Sequence, residues 1–283
     1  YAFPGNIASP PGNSELASAG GPQTTITYDT QKPASKLTNV SSEGTEDYKN
    51  TLLTVSGTAS DNQKIDYIKL YVYDMTGKTW NGTGGGAGNG WDDGDKINDD
   101  NYWRTCGFVG VSSGIWTYPY GADITPNWES GKQYRLIAKA WDKATNKEIS
   151  VSTYAFIFDN WQGPSPEYPD SYAIFPSSDE HVTAPFATIS GTAVDDTNGK
   201  FMAGNGVQLK LIRFNGDGTT DYWTGGTWHP NKTESWFNAT ADNAPFDSNS
   251  EPWHVDAPAP AFWTANTSYT VVSRGLDRGN NFE

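Results

Sequence analysis

The residues best suited to chemistry are oxygen-bearing side chains crowded into a short acidic loop. Residues 92–100 hold five aspartates and one asparagine. Carboxylate and amide oxygens are the ligands that Ca²⁺ takes in proteins, so this loop is a candidate calcium site. It departs from the EF-hand pattern because Ile97 interrupts the run, and a solvated acidic turn is the alternative. The candidate ligands are Asp92, Asp93, Asp95 and Asp99.

A second acidic loop places oxygen-bearing side chains at alternate positions. Asn215, Asp217 and Asp221 lie in the stretch Asn-Gly-Asp-Gly-Thr-Thr-Asp. The spacing resembles a short calcium loop, although the distal glutamate of an EF-hand is missing at its required position. Calcium is therefore the best cofactor candidate of the sequence, and an acidic turn is again the alternative.

Catalytic residues in a recognisable arrangement are missing from the sequence. The histidines His181, His229 and His254 are not at the spacing of metal ligands. The sequence has neither a Gly-x-Ser-x-Gly nucleophile elbow nor a phosphate-binding loop. A glycosidase-type pair of carboxylates stays compatible with the sequence, but the acidic stretches are typical of turns. We predict that the protein is not an enzyme.

Aromatic side chains offer a second kind of site, because exposed rings can stack on sugars. The chain has 12 tryptophans, and most follow turns or hairpins. A carbohydrate-binding surface is one interpretation. The other is that the rings fill the ends of β-sandwiches, which their recurrence in two repeats favours. The residues concerned are Trp80, Trp91, Trp103, Trp116, Trp128, Trp223, Trp228, Trp236, Trp253 and Trp263.

Asn-x-Ser/Thr sequons occur at Asn39, Asn81, Asn231, Asn238 and Asn266. These asparagines are candidate acceptors of N-linked glycans. Asn, Ser and Thr are common in this chain, so chance alone gives about as many sequons. The sequons permit glycosylation without arguing for it.

The composition indicates which elements must position these residues. Aromatic residues make up 14% of the chain and charged residues only 18%, with 30 glycines. Aromatic residues suit pleated sheets and glycines suit turns. A net charge of −14 excludes nucleic acid as a natural partner, and no apolar run is long enough for membrane insertion. The single cysteine, Cys106, allows no intrachain disulfide and is expected in a core.

The chain contains an internal repeat. Residues 55–61, VSGTASD, recur as residues 189–195, ISGTAVD. An alternating stretch follows in each copy, over 65–73 and 207–214, and each copy closes with a strand pattern and an Asp-x-x-x-Asn turn. Alternation at a period of two predicts strands with one face on a core. The repeat therefore predicts an all-β chain of two β-sandwich domains.

These motifs resemble the bacterial immunoglobulin-like repeats of large extracellular surface proteins. The resemblance rests on the Ser-Gly-Thr-Ala-x-Asp motif, the Asp-x-x-x-Asn turn, and the hairpin Tyr222 to Trp228 followed by Trp236. The first copy departs from the pattern by a Gly- and Asp-rich insertion over 81–100. The resemblance covers about residues 33–283. It implies tandem immunoglobulin-like β-sandwiches and an extracellular or cell-surface location, with spacer, adhesin or filament functions.

The two repeats differ at their C-terminal ends. After Glu148 the first domain, residues 30–160, continues with a strand pattern that puts Tyr154, Phe156 and Phe158 on one face. The second domain, residues 161–283, stops at the equivalent position. We expect it to lack its final strand and to expose a core groove and a sheet edge.

A spare strand pattern precedes the first domain. Within the N-terminal extension, residues 1–29, the stretch 24–29 aligns Thr24, Ile26 and Tyr28 with the three aromatics of the final strand. We expect this segment of one copy to complete the second domain of the next copy. That arrangement is donor-strand complementation, as in pili. The acceptor region is expected at Tyr269, Val271 and Leu276.

The leading interpretation is a structural subunit of an extracellular, pilus-like filament that polymerises head to tail with copies of itself. The first alternative is a stalk or adhesin segment of a longer cell-surface repeat protein, for which the two chain ends would be arbitrary cuts. The second alternative is a carbohydrate-binding accessory module, with surface glycans as partners.

Overall fold

The computed structural model describes residues 26–83, 90–121, 124–160, 169–196, 198–230, 232, 235–256 and 262–283. In this part of the chain the regular structure is β-strand, apart from one turn of 3₁₀ helix at Asp100–Tyr102. The all-β class predicted from composition and alternation is confirmed. Residues 1–25, which include Thr24 of the expected donor strand, lie outside the described residues.

The N-terminal half, residues 26–160, forms a sheet that folds back on itself. In the described residues its strand order is β1-β3-β8-β7-β4-β9-β10-β2, with β5 and β6 attached beside β4. Strand β7 pairs with β4 over residues 104–106 and with β8 over residues 107–110, so it passes from one layer to the other. The strands are β1 Ala34–Leu37, β2 Tyr48–Lys49, β3 Val55–Ser60, β4 Ile65–Asp74, β5 Lys78–Trp80, β6 Trp91–Asp93, β7 Arg104–Gly110, β8 Ser113–Tyr118, β9 Lys132–Asp142 and β10 Thr153–Phe158.

The C-terminal half, residues 169–283, has two sheets. One has the order β11-β12-β18-β17, and the other has β15-β14-β13-β16 with β19 also paired to β13. The strands are β11 Asp170–Phe175, β12 Thr188–Val194, β13 Val207–Phe214, β14 Thr220–Trp223, β15 Trp228–His229, β16 Phe237–Asn238, β17 Thr240–Ala241, β18 Ser250–Asp256 and β19 Ser268–Gly275.

Each half has its own hydrophobic core, built by the alternating strands. In β13, Val207, Leu209 and Leu211 are buried while the intervening side chains are partly exposed. The first core draws its residues from both layers of the N-terminal sheet, and the second draws them from both C-terminal sheets. Two layers around one apolar core are consistent with a β-sandwich in each half. Cys106 is buried in the first core, as expected.

Two glycines of the repeated motif have a clear packing role. Gly57 of β3 lies opposite Trp116 of β8, and Gly191 of β12 lies opposite Trp253 of β18. A Cβ atom on Gly191 would come within 2.2 Å of the Tyr172 carbonyl oxygen and 2.3 Å of the Trp253 ring. The motif contains glycine because a neighbouring backbone and an indole ring approach the strand from both sides.

Candidate functional site: a strand edge and two aspartate triads

The outer edge of β19 is the first candidate site. This strand pairs with β13 on one side along its whole length. On the other side, the carbonyl of Gly275 accepts a hydrogen bond from the Glu283 amide. On this outer side of β19, no described residue forms a backbone hydrogen bond with residues 267–272. We call these six residues the acceptor edge.

The N-terminal half shows what covers the same edge there. Strand β10 pairs antiparallel with β9 and places Tyr154, Phe156 and Phe158 opposite Leu136, Tyr134 and Lys132. Phe156 and Phe158 are 1% and 6% exposed. On its far side β10 is flanked by residues 41–49, and the amides of Ala155, Ile157 and Asp159 donate to carbonyls in that segment. Strand β10 is therefore a central strand, hydrogen-bonded on both sides.

The C-terminal half lacks this cover among its described residues. Tyr269 and Val271 of β19 are only partly buried, whereas their counterparts Tyr134 and Leu136 are fully buried. Residues 177–185, the counterpart of the segment that flanks β10, form no strand and are exposed. The third expected acceptor residue, Leu276, is not on this edge. It is buried, and its backbone bonds to Gly206 and Met202.

An aromatic pair beside the edge is arranged alike in both halves. The rings of Trp128 and Tyr134 lie 4.8 Å apart and edge to face, and so do the rings of Trp263 and Tyr269. In the N-terminal half Phe156 packs on both members of the pair, at 5.1 and 5.4 Å. The C-terminal pair has one ring of this kind on both members, Phe262 at 4.6 and 6.3 Å, whereas in the N-terminal half both Trp91 and Phe156 contact the pair.

The segment at the N-terminal end of the described chain is the second element of the site. Ile26 and Tyr28 are 87% and 90% exposed. The segment is held at Asp29, whose carbonyl accepts a hydrogen bond from Asn146 Nδ2 at 3.1 Å. Residues 26–28 belong to no strand of the described chain, and the apolar side chains of Ile26 and Tyr28 lie in solvent.

Three aspartates from distant parts of the chain converge where the two halves meet. Asp159 follows β10, Asp195 follows β12, and Asp277 follows β19. Each offers a carboxylate oxygen, and these oxygens all lie within 4.8 Å of one another. All three residues are buried. We call them the junction triad.

A second triad repeats this arrangement at the N-terminal end. Asp29, Asp61 and Asp142 also bring carboxylate oxygens within 4.8 Å of one another. In the junction triad, Asn281 donates to the Asp159 carbonyl at 2.9 Å, as Asn146 does to that of Asp29. We call these residues the N-terminal triad. Asp29 thus has the same place relative to the N-terminal half as Asp159 has relative to the C-terminal half.

Burial of the junction triad perturbs its electrostatics. The pKa is raised to about 8 for Asp159, about 7 for Asp195 and about 6 for Asp277. The main cause is burial, which removes the solvent that stabilises the charged carboxylates. The negative charges of the neighbouring aspartates add to the rise. Hydrogen bonds from the Asn281 amide and side chain partly offset the effect at Asp277. The site disfavours three negative charges unless a cation compensates them.

The first acidic loop does not bring its predicted calcium ligands together. The Asp92 carboxylate accepts from Asn81 and Tyr102, and that of Asp95 accepts from Tyr71. Asp99 accepts from the Asn101 amide. Asp93 lies in β6 and is exposed. Among the described residues, the groups of three convergent ligands are the two triads and do not include this loop.

The second acidic loop is likewise held by contacts within the protein. Asn215 donates to Thr219 at 3.0 Å, and Asp217 accepts from the same threonine. Asp221 pairs with Arg213, whose hydrogen bond and, to a lesser extent, positive charge lower the pKa of that carboxyl. A guanidinium group on Asp221 opposes a cation at the same place.

The tryptophans of the sequence mostly lie inside the protein. Trp80, Trp91, Trp103, Trp116 and Trp253 are buried, and so is Trp223. Trp128, Trp228 and Trp263 pack against the cores, and Trp236 lies under Arg274 and Lys210. These positions agree with the interpretation that the rings fill the sandwiches.

The sequons differ in accessibility. Asn39 and Asn81 are partly buried, and their side chains bond to the backbone of Thr54 and Ser56 and to the Asp92 carboxylate, respectively. Asn238 and Asn266 are exposed. Asn231 lies outside the described residues.

Comparisons with known proteins give little further information. The sequence matches no protein-family model and no curated protein. The structure is similar to dimeric latent PorU from Porphyromonas gingivalis, with 13% sequence identity and a TM-score of 0.24. The match covers 89% of this chain and 23% of PorU, so the chain spans less than a quarter of that protein. The described residues include no helix with the length and apolarity needed to cross a membrane.

Proposed function

We propose that the chain consists of two immunoglobulin-like β-sandwich domains and is a structural subunit of an extracellular filament. Residues 24–29 of one copy add a strand to the acceptor edge of the next copy. The extracellular setting rests on the resemblance of the repeated motifs to surface-protein domains. The filament rests on the edge of β19.

One observation carries the proposal. The edge that β10 covers in the N-terminal half is open in the described C-terminal half. Tyr269 and Val271 are left half-buried where Tyr134 and Leu136 are fully buried. An open edge beside an incomplete apolar core favours addition of a strand that alternates apolar and polar residues.

The segment 24–29 supports the proposal as the occupant of that edge. It aligns with β10 through the shared Asp29 and Asp159, which have matching contacts to Asn146 and Asn281. Transferring the β10 register puts Ile26 opposite Tyr269 and Thr27 opposite Ser268. Ile26 then takes the place of Phe156, against the ring pair Trp263 and Tyr269.

The geometry of this addition is head to tail. The donor segment projects from the N-terminal half, and the acceptor edge lies on the C-terminal half. A copy that donates to one neighbour still has its own edge free for another. Such contacts build open filaments unless their rotation closes a ring.

A register-specific disulfide tests the proposal. Strand residues directly opposite each other have Cα atoms about 4.5–5.5 Å apart, within the reach of a disulfide, whereas diagonal pairs are about 7–8 Å apart. The chain carrying Thr27→Cys and Ser268→Cys is therefore expected to form a ladder of covalent multimers under mild oxidation. The control carries Thr27→Cys and Thr270→Cys, and buried Cys106 is common to both.

The ladder should be strong in the first variant and weak in the control. Equal ladders in both variants would contradict the register. A monomer in which Cys106 is the one remaining free thiol would show that the segment pairs with its own chain, and would refute donation between copies.

The recurrence of the aspartate triad also favours a second candidate, a stalk segment of a longer repeat protein. In that case a strand from a further part of the same polypeptide fills the acceptor edge. The purified chain would then stay monomeric in the cross-linking experiment. A longer form of the protein would carry the strand that closes the edge.

A further inference from the structure

We propose that the junction triad binds Ca²⁺ between the two halves. This site does not belong to the acidic loops that the sequence first suggests. The inference does not depend on strand donation, because the triad is formed within one chain.

Unpartnered buried oxygens point to a missing ligand in the junction triad. The Oδ2 atoms of Asp159 and Asp195 are buried and have no hydrogen-bond partner among the described residues. Asp159 is 0% exposed. A buried carboxylate oxygen without a partner is costly, so such atoms normally bind a proton donor or a metal. The hydroxyl of Tyr48, whose pKa the charges of Asp159 and Asp195 help to raise, is also buried without a partner.

The basic side chains at this junction have another partner. Lys200 and Arg278 both pair with Glu46. Arg278 is the sequence neighbour of Asp277, yet it contacts the N-terminal half and not the triad. The described basic groups at this junction therefore do not neutralise the buried carboxylates, so an external cation can do so.

The ligand set selects the chemical class of that cation. The triad offers carboxylate oxygens only, with no nitrogen or sulfur, which favours a hard divalent cation. Two oxygens bound to one Ca²⁺ at about 2.3–2.6 Å lie at most about 5 Å apart. The triad oxygens meet this limit, since they lie within 4.8 Å of one another. Ca²⁺ takes six to eight oxygens, so carbonyls or water would supply the rest.

The position of the ion defines its role. Asp159 follows the last strand of the N-terminal half, while Asp195 and Asp277 belong to the C-terminal half. An ion held by all three ties the halves together. The N-terminal triad differs, because Asp29 and Asp61 are only partly buried and both carboxylate oxygens of Asp142 accept from Asn146.

Calorimetric titration of CaCl₂ into the chelator-stripped full chain tests the site. We expect an ion at the junction, with a dissociation constant at or below the ~1 mM typical of extracellular calcium modules. Asp195→Asn should remove this ion. Asp196→Asn is the matched control, since this neighbouring carboxylate bonds to the amides of Asn198 and Gly199 and is outside the triad.

Thermal unfolding separates ion binding from a structural role of the carboxylates. Calcium at about 100 times its dissociation constant should raise the melting temperature of the native chain by on the order of 10 °C. In chelator, Asp195→Asn should melt at or above the native temperature, because it removes one of three crowded buried charges. Its response to calcium at the junction should be lost.

Several results would overturn the proposal. One is no calcium binding up to about 10 mM, well above the range of extracellular modules. Another is equal binding by the native chain and the Asp195→Asn variant. Loss of the same ion in Asp196→Asn would show a general charge effect. Titration with MgCl₂ should give weaker binding, because Mg²⁺ requires a tighter octahedron and gives up water reluctantly; tighter Mg²⁺ binding would contradict the assignment to Ca²⁺.

Discussion

Replacing Ile26 with alanine should weaken the junction between copies and leave the single chain unchanged. In the chain itself Ile26 is 87% exposed, so Ile26→Ala should change the free energy of unfolding by less than about 0.5 kcal/mol. In the proposed junction Ile26 takes the place of Phe156, which is 1% exposed. Truncating a buried isoleucine to alanine costs about 2–5 kcal/mol. The dissociation constant of the junction should therefore rise from about 30-fold to more than a thousandfold.

Sedimentation velocity over a range of concentrations measures this shift. The native chain should form multimers at concentrations where Ile26→Ala is monomeric. Thr27→Ala is the control, because Thr27 matches Ile157 and faces away from the core in the proposed register. Its multimers should form at nearly the native concentration, and thermal unfolding should be alike in all three monomers.

Two outcomes would refute this reasoning. If Ile26→Ala and the native chain assemble with the same concentration dependence, Ile26 is not buried at the junction. If Ile26→Ala lowers the stability of the monomer by 2 kcal/mol or more, the side chain packs on its own chain. In either case the segment 24–29 is not the donor.

Three further predictions concern the folded chain itself. Gly191→Ala should cost roughly 1–3 kcal/mol or more in the free energy of unfolding, because its Cβ meets Tyr172 and Trp253, whereas Gly216→Ala, with nothing within 4 Å, should cost less than about 0.5 kcal/mol. Denaturant unfolding measures both. Trp223→Ala should lower stability by about 3–5 kcal/mol in the same assay, since this ring packs 4.7 Å from Phe262; loss of saccharide binding at unchanged stability would instead favour a carbohydrate-binding module. In chelator, the raised pKa values of Asp159, Asp195 and Asp277 mean that the folded state binds more protons than the unfolded state. Their contribution to stability is therefore complete below about pH 4 and is lost as pH rises toward 8. Saturating calcium should abolish this loss between pH 5 and pH 8, as followed by melting temperature.

Much of the fold could be predicted from the sequence because its signals are local. Alternation over residues 65–73 and 207–214 indicates strands that the structure has at 65–74 and 207–214. The repeated glycine indicates a close approach, which Trp116 and Trp253 provide. The missing final strand of the second domain stays a prediction from comparing two copies of one pattern; among the described residues, none pairs with the backbone of residues 267–272 on the outer side of β19. The sequence pattern also placed Leu276 among the acceptor residues. Leu276 lies one residue beyond the end of β19, and its side chain is buried in the core.

The triads were harder to find because their members are far apart in sequence. Asp159, Asp195 and Asp277 come from three separate strands, so no local spacing identifies them. The acidic loop at residues 92–100 has a denser pattern, yet its carboxylates bind tyrosine, asparagine and backbone groups. The signal in the sequence that could identify the triads is the recurrence of these aspartates in both copies. Each member of the junction triad has a counterpart in the N-terminal triad, and turn formation alone does not require all three.

Cryo-electron microscopy of the assembled protein tests the central claim most directly. We predict density for residues 24–29 of one copy running antiparallel to β19 of the next, with the Ile26 side chain against Trp263 and Tyr269. The claim is contradicted if residues 267–272 pair with a segment of their own chain, or if residues 24–29 contact only the copy to which they belong.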